Sequence, residues 1–317
     1  MPAPIEFSFV IPLHNTGERL LPLVEAFRSE ASSMRDPWEL VLVDDGSRDG
    51  TAAEARHLLM KFPAPVTIVE LARNFGEHAA VLEGWRHSAG RYVVNLDDDL
   101  QNPVPEARRL LEHLRASDAE VAYSYFSRKR HSWFRNLGSR LLNESASLIL
   151  GKPRALYLSS FRAVRRELIE RIIPHRAPFP HLDGLILGAT DRFTRLEVDH
   201  LPRHGGKSGY TLPGLVQLAL GLLFGFSLAP VRIASILALT LFGAGVLTLA
   251  GFAPEAESGE DRAGAFSILA SGLALFSGAQ LVFLGVIAEY AGRAFLTMSG
   301  RSQSLVRDVF VNGEVAP

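Results

Sequence analysis

Short apolar runs alternate with amphipathic stretches through the N-terminal part of the chain, and long apolar runs fill much of the C-terminal part. Glu6–Ile11, Glu39–Val43, Val66–Glu70 and Tyr92–Leu96 are each closed by polar, Gly or Pro residues. That pattern predicts strands buried on both faces. Arg19–Ser32 and Thr51–Lys61, lying between them, carry helical spacing. Buried strands separated by helices predict an α/β domain over 1–210, with a mostly parallel sheet flanked by helices. In such sheets ligands gather at the carboxyl ends of the strands.

The pattern changes at Leu212. Ile233–Pro254 and Ala263–Ala288 carry no charge, and each matches the roughly 20 residues needed to cross a bilayer. Soluble core helices are rarely so uniformly apolar. Glu255, Glu257, Glu260 and Asp261 form an acidic hairpin between the runs, while Arg232 precedes the first and Arg293, Arg301 and Arg307 follow the second. The positive-inside rule then places the hairpin outside and both chain ends in the cytosol. The expected layout is a cytosolic domain over 1–210, an interfacial helix over 211–230, two transmembrane helices within 231–289 and a cytosolic tail over 290–317. Pro213, Gln217 and Pro230 interrupt Leu212–Leu228, which suits a helix lying at the membrane surface. A third crossing is the alternative, and it would put the C-terminus on the far side.

Composition narrows the chemistry. The 317 residues carry a formal charge of -1, which gives no basic excess for nucleic acid. There is no cysteine, so disulfides, thiolate metal sites and cysteine nucleophiles are excluded. Phe7–Leu13 is short, contains Pro12 and lacks a basic flank, so it reads as a strand and not as a signal peptide.

Asp97-Asp98-Asp99 directly follows the fourth run. Three adjacent acids at a strand end repel one another unless a cation joins them. Alternate acids can share Mg²⁺ or Mn²⁺, with Gln101 adding an amide oxygen. Such an ion would neutralise a diphosphate leaving group. The same acids can also form a solvated turn capping the helix after Pro103. The second run ends in Asp44-Asp45-Gly46-Ser47, with Asp49 and Thr51 behind it, and Asp45 can accept the imide N–H of a base. The first run ends in Pro12-Leu13-His14-Asn15, and the third runs into Arg73-Asn74-Phe75-Gly76. Four successive strands thus deliver polar loops to one sheet edge.

On these motifs, together with Leu100-Gln101-Asn102-Pro103, the chain resembles the inverting glycosyltransferases of GT-A fold. Ser132-Trp133-Phe134-Arg135, Phe161-Arg162, Arg203 with Gly206-Lys207-Ser208-Gly209-Tyr210, and the terminal helix pair resemble the branch that loads sugars onto polyprenyl phosphates. That branch includes dolichol-phosphate mannose synthases and bacterial undecaprenyl-phosphate sugar transferases. The resemblance implies a UDP- or GDP-sugar donor lined by Pro12, Asn15, Asn74 and Asp45, and a metal and diphosphate held by Asp97, Asp98, Asp99 and Gln101. It implies that Arg128, Lys129, Arg135, Arg203 and Lys207 surround the acceptor phosphate. It also implies a multi-pass protein of the inner (plasma) membrane that assembles as a homo-oligomer, a tetramer packed through its membrane helices. Three departures stand out. His14, Asn15 and Thr16 replace the usual aromatic, Asn and Glu. Gly209 stands where lysine is common. Leu156 takes the place of an aspartate proposed as a base, with Asp183 the nearest displaced carboxylate. A lipid phosphate is already ionised at neutral pH, so the loss of a base weakens a hydroxyl acceptor more than a phosphate one. Trp38, Trp85 and Trp133 are the only tryptophans, and none lies in the Gln-x-x-Arg-Trp stretch of processive polysaccharide synthases. Another lipid acceptor and a non-catalytic membrane scaffold are the competing readings.

The topology is open to a direct test. In this cysteine-free chain, Ser258→Cys should react with an impermeant thiol reagent on intact cells, and a C-terminal tag should not. The reverse labelling pattern would invert the orientation.

Overall fold

The computed structural model describes residues 4–60, 62–126, 158–175, 180–199, 201, 223–225, 227–258, 262–299, 303–312 and 314–315. It divides into two compact units, one of Met1–Thr211 with Gly300–Pro317 and the other of Leu212–Ser299. In chain order the first unit begins with β1 (Phe7–Leu13), α1 (Leu20–Glu30), β2 (Trp38–Asp44), α2 (Thr51–Leu59), β3 (Val66–Leu71), α3 (Glu77–His87), β4 (Tyr92–Asn95) and α4 (Val104–Ala116). It continues with β5 (Val121–Tyr125), β6 (Arg162–Arg165), α5 (Arg166–Ile172), α6 (Leu182–Ala189) and β7 (Phe193–Glu197). The second unit holds α7 (Ala229–Ser258) and α8 (Arg262–Met298), after which β8 (Val306–Val311) and β9 (Glu314–Val315) return to the first.

The four apolar runs form a parallel block in the order β4-β1-β2-β3. Every residue of β2 is buried, as expected for a strand covered on both faces. Antiparallel partners flank the block: β6 beside β4 and β8 beside β3. Among the described residues the sheet has nine strands, ordered β7-β5-β6-β4-β1-β2-β3-β8-β9. One face packs Phe9, Ile11, Leu40 and Leu42 against Leu23 and Phe27 of α1, Leu59 of α2 and Leu110 of α4. Phe27 and Trp38 lie edge-on to Phe9, with ring centroids 5.3 and 5.7 Å away. The other face packs Val10, Val41 and Val43 against Val81 and Trp85 of α3, Ile169 of α5 and Ile186 of α6. The alternation of Phe9 and Ile11 with Val10 is the two-residue period of a strand buried on both sides.

Pro12 costs the sheet nothing. The β1–β4 pairing ends at Val10↔Asn95, while the β1–β2 pairing runs on to Leu13↔Asp44. The missing N–H therefore falls beyond the last β4 partner.

The C-terminal segment differs from the expected tail over 290–317. Residues up to Met298 belong to α8, and Val306–Val311 pairs antiparallel with β3 from Thr67↔Val311 to Leu71↔Val306. One sheet cannot be shared across a bilayer, because its edge hydrogen bonds need both strands on the same side. Any crossings between Asp199 and Val306 must therefore be even in number. Two spans satisfy that condition. All but a few residues of 212–228, and with them the proposed interfacial helix, lie outside the described residues. Ala229–Leu247 and Leu269–Met298 are long and apolar enough to cross a membrane, each at a mean hydropathy of 1.8. Their side chains are outward-facing, Leu247 being 74% and Leu281 70% exposed. Core helices of a soluble protein would be buried; exposed apolar faces of this extent suit a lipid surround.

Helix α3 lies close over β1 because it carries Gly84. A Cβ there would stand 2.3 Å from Val10 Cγ1 and 3.1 Å from Val43 Cγ2. Gly84→Ala should lower stability by about 1–3 kcal/mol through overpacking, despite the better helix propensity of alanine. Thermal melts in detergent check this, and an unchanged melting temperature would show that Val10 yields.

Candidate active site

Parallel pairing brings the carboxyl ends of β1, β2, β3 and β4 to one edge, with Leu13 opposite Asp44 and Asp44 opposite Glu70. The polar loops meet there. Asp45, 3% exposed, donates its N–H to the Leu13 carbonyl at 2.8 Å. Its two carboxylate oxygens accept the N–H groups of Phe75 at 2.7 Å and Gly76 at 2.9 Å. Burial raises the Asp45 pKa, and those two N–H groups offset part of the rise. Gly46 sits at φ +65°, where a Cβ would lie 2.4 Å from the Arg73 carbonyl carbon, so this loop closes against the next one only with glycine.

His14 joins three of the loops. Its Nδ1 is 2.9 Å from the Asp45 carbonyl oxygen, which can only accept, so Nδ1 carries the proton. Its Nε2 then accepts from the amides of Asn15 at 3.1 Å and Asn74 at 3.0 Å. Asn15 adopts φ +48°, and its Oδ1 accepts the Arg48 N–H at 3.0 Å. A polar plate of His14, Asn15 and Asn74 thus lies exposed above β1 and β3.

The three acids after β4 have different surroundings. Asp98 is clamped: Arg19 donates to its two oxygens at 3.1 and 3.2 Å, and Thr16 Oγ1 donates at 2.5 Å. Asp97 accepts from Ser160 Oγ at 2.9 Å. Burial, followed by the nearby charge of Glu77 and of Asp99 and Asp98, pushes its pKa up to about 7 despite that hydrogen bond. Asp99, 7% exposed, accepts the Gln101 N–H at 3.1 Å across Leu100, which is turned to φ +61°. Gln101 in turn accepts the Leu201 N–H at 2.9 Å and donates Nε2 to the Leu201 carbonyl at 3.4 Å.

Behind the acids lies a buried ion pair. Arg162, 1% exposed, donates to Asp183 Oδ1, which also accepts from Tyr123 OH at 3.1 Å. Burial alone would raise the Asp183 pKa, but Arg162, His78 and His181 together hold it down. The ring of His78 lies 4.6 Å from that of His181, and burial with the His181 charge pushes its pKa down to about 3. Glu77, the first residue of α3, opens to solvent on one side. Burial raises its pKa against the pull of Arg162.

The expected site residues Pro12, Asn15, Asp45, Asn74, Asp97, Asp98, Asp99 and Gln101 therefore gather at one sheet edge. Two of them have surroundings that change their reading. Asp98 is neutralised by Arg19, and Asp45 spends its oxygens on backbone N–H groups. Asp183 is held as a carboxylate by a buried arginine, which makes it a weak base. Arg128, Lys129, Leu156, Arg203 and Lys207 lie outside the described residues, as does Arg135. The sequence reading noted Thr16 only as a departure from the family pattern and missed Arg19, Ser160 and Glu77. Ser160 and Glu77 directly adjoin motifs that were recognised, and only that adjacency could have flagged them.

The donor set suits a hard cation. Asp97 and Asp99 offer carboxylate oxygens, and no arginine or lysine is bonded to Asp97 among the described residues. Among those residues no three His, Asp or Glu side chains converge to cage an ion.

Comparison with known proteins bears on the family and the fold. The sequence profile of glycosyl transferase family 2 matches residues 8–173. An undecaprenyl-phosphate 4-deoxy-4-formamido-L-arabinose transferase of Pseudomonas fluorescens (strain SBW25) is 31% identical over 319 residues, covering 100% of this chain and 93% of its own length. One from Edwardsiella ictaluri (strain 93-146) is 33% identical over 313 residues, covering 95% and 93%. The glucosyl-3-phosphoglycerate synthase of M. tuberculosis is similar in fold, with a TM-score of 0.50 at 19% identity over 69% of this chain and 78% of that one.

The raised Asp97 pKa has a consequence for stability. The folded state keeps this proton to about pH 7, whereas an ordinary aspartate loses it near 3.8. Between those values the folded state binds more protons, so stability falls as pH rises through the window. With EDTA present, Asp97→Asn should melt at a higher temperature than the parent protein at pH 8, and the gap should close toward pH 4. An equal or lower melting temperature at pH 8 would contradict this.

Proposed function

The chain belongs to glycosyl transferase family 2, and from that membership we propose that it transfers a sugar from a UDP- or GDP-sugar to a polyprenyl phosphate at the cytosolic face of the inner membrane, with inversion. The observation that carries the reading is the tie between Gln101 and Leu201. It holds Leu201, which precedes Arg203 and Lys207 in the chain, beside Gln101 of the acidic turn and so supports the reading. A donor diphosphate on the acids and an acceptor phosphate on the basic residues would then be neighbours.

In the proposed reaction an oxygen of the lipid phosphate attacks the anomeric carbon in line. The new C–O bond forms as the bond to the donor diphosphate breaks, and the electron pair leaves with the nucleoside diphosphate. The phosphate nucleophile is ionised at neutral pH, so no side chain has to accept a proton. This suits a site whose buried carboxylate, Asp183, is already paired with Arg162. Asp97 and Asp99, with Gln101, would hold Mg²⁺ or Mn²⁺, which when bound supplies charge neutralisation of the diphosphate. Arg128, Arg203 and Lys207 would offset the repulsion between acceptor and donor phosphates. His14, Asn15, Asn74 and Pro12 would face the nucleoside. The relatives' names make a nucleotide-linked 4-deoxy-4-formamido-L-arabinose the first donor to try, and assembly through the membrane helices as a tetramer remains part of the proposal.

The test uses full-length protein in detergent micelles with a short-chain polyprenyl phosphate, that donor, a panel of other UDP- and GDP-sugars, and Mn²⁺ or Mg²⁺. The lipid product should gain the mass of one sugar residue. Asp99→Ala should melt like the parent and lose roughly 100-fold or more of the turnover. Donor hydrolysis without any lipid product would redirect the acceptor. The absence of both reactions would leave a scaffold.

A further inference from the structure

The donor loop Arg73–Gly76 is held at both of its roots by one short stretch of chain. On the entry side, the Ala72 N–H donates to the Leu305 carbonyl at 2.8 Å, just past the last β3–β8 pair, Leu71↔Val306. On the exit side, α3 is gripped further along the helix, at Glu83 and Arg86. Ser304 Oγ donates to Glu83 Oε2 at 2.5 Å, and Arg86 donates to Gln303 Oε1 at 2.9 Å and to Glu83 at 2.7 Å. Ser304 and Gln303 are buried. Burial opposes charge on Glu83, yet the hydrogen bonds of His87 and Ser304 and the Arg86 charge bring its pKa down to about 2. The grip is therefore made on a carboxylate at working pH. The chain reaches Gln303 only five residues after α8 ends at Met298.

We propose that Gln303, Ser304 and Leu305 are positioning residues for the donor site: the segment returning from the apolar helices fixes the loop whose Phe75 and Gly76 N–H groups bind Asp45. The inference rests on the donor-site reading of that loop. Its geometry is specific, because the opposite end of β8 has a separate anchor. Asn312 accepts the Val66 N–H at 3.0 Å and donates its own N–H to the Val66 carbonyl at 2.8 Å. That anchor lies at the far end of β3 from the loop.

The experiment is residue-resolved hydrogen exchange on full-length protein in detergent, comparing the parent, the double variant Q303A/S304A and the control Asn312→Ala. The double variant should exchange the Phe75 and Gly76 amides roughly tenfold or more faster, with β1 and β2 amides such as Phe9 and Leu42 unchanged. Asn312→Ala should loosen Val66 and leave Phe75 and Gly76 as they were. In the transfer assay the double variant should raise the donor KM severalfold and leave the acceptor KM in place. Unchanged loop amides in the double variant, or loosening of the loop to the same degree by Asn312→Ala, would overturn the proposal. Should the double variant lose protection throughout the sheet, Gln303→Ala alone decides by the same criteria. The exchange readout stands whether or not the transfer reaction does, so failure of the clamp and failure of the proposed function are separable.

Discussion

Several carboxylates share one partly dry sheet edge, and much of the local structure answers the repulsion among them. Charges close together in a low-dielectric cleft repel strongly, and each of these acids meets a different partner. Asp45 is held by two backbone N–H groups, Asp98 by Arg19 and Thr16, and Asp183 by Arg162 and Tyr123. Asp97 receives one hydroxyl and lies within the field of Glu77. The fold thus stabilises the acids that hold its loops in place and leaves Asp97 with its pKa raised to about 7, a cost that a cation would offset in the proposed function.

The parts of this arrangement that were legible in sequence share a cause. β1 to β4 are buried on both faces, so their apolar runs are continuous and their polar ends stand out. β5, β6 and β7 were not singled out. β7 is only partly buried and β6 is four residues long with arginine at both ends, so neither shows a strong period. β8 was missed because it looks like an ordinary polar tail after an apolar helix. Its partner, β3, lies more than two hundred residues earlier in the chain. The same distance hid the clamps. Thr16 and Arg19 meet Asp98 about eighty residues on, and Ser304 meets Glu83 across 221. Local pattern reports which faces are buried; it does not report which distant polar groups will satisfy one another there.

Motif position does not report which groups pair with each acid. Asp45 and Asp98 were read as ligand-facing because they lie within recognised motifs, yet motif membership gives no account of hydrogen-bond partners. Glycine was more informative. Gly46, at φ +65° and with backbone where a Cβ would be, marks the place where one loop must lie against the next. A glycine between an acidic strand end and a polar loop therefore signals contact between loops as much as a turn.

The return of the chain into the sheet links this chemistry to the apolar helices. A catalytic domain followed by a membrane hairpin could end at the hairpin, since two spans suffice as an anchor. Here the chain re-enters, adds a strand to β3 and buries Gln303 and Ser304 on α3. Burying polar side chains is favourable only when each finds a partner, and Glu83 and Arg86 provide them. The re-entry also places Glu70, wholly buried on β3, between Arg56 and Arg307. Removing one cation from a buried carboxylate is far more damaging than replacing the whole group, so β3 depends on residues from both before and after the hairpin. The sheet edge that carries the Arg73–Gly76 loop is thus built from two segments that only chain topology brings together.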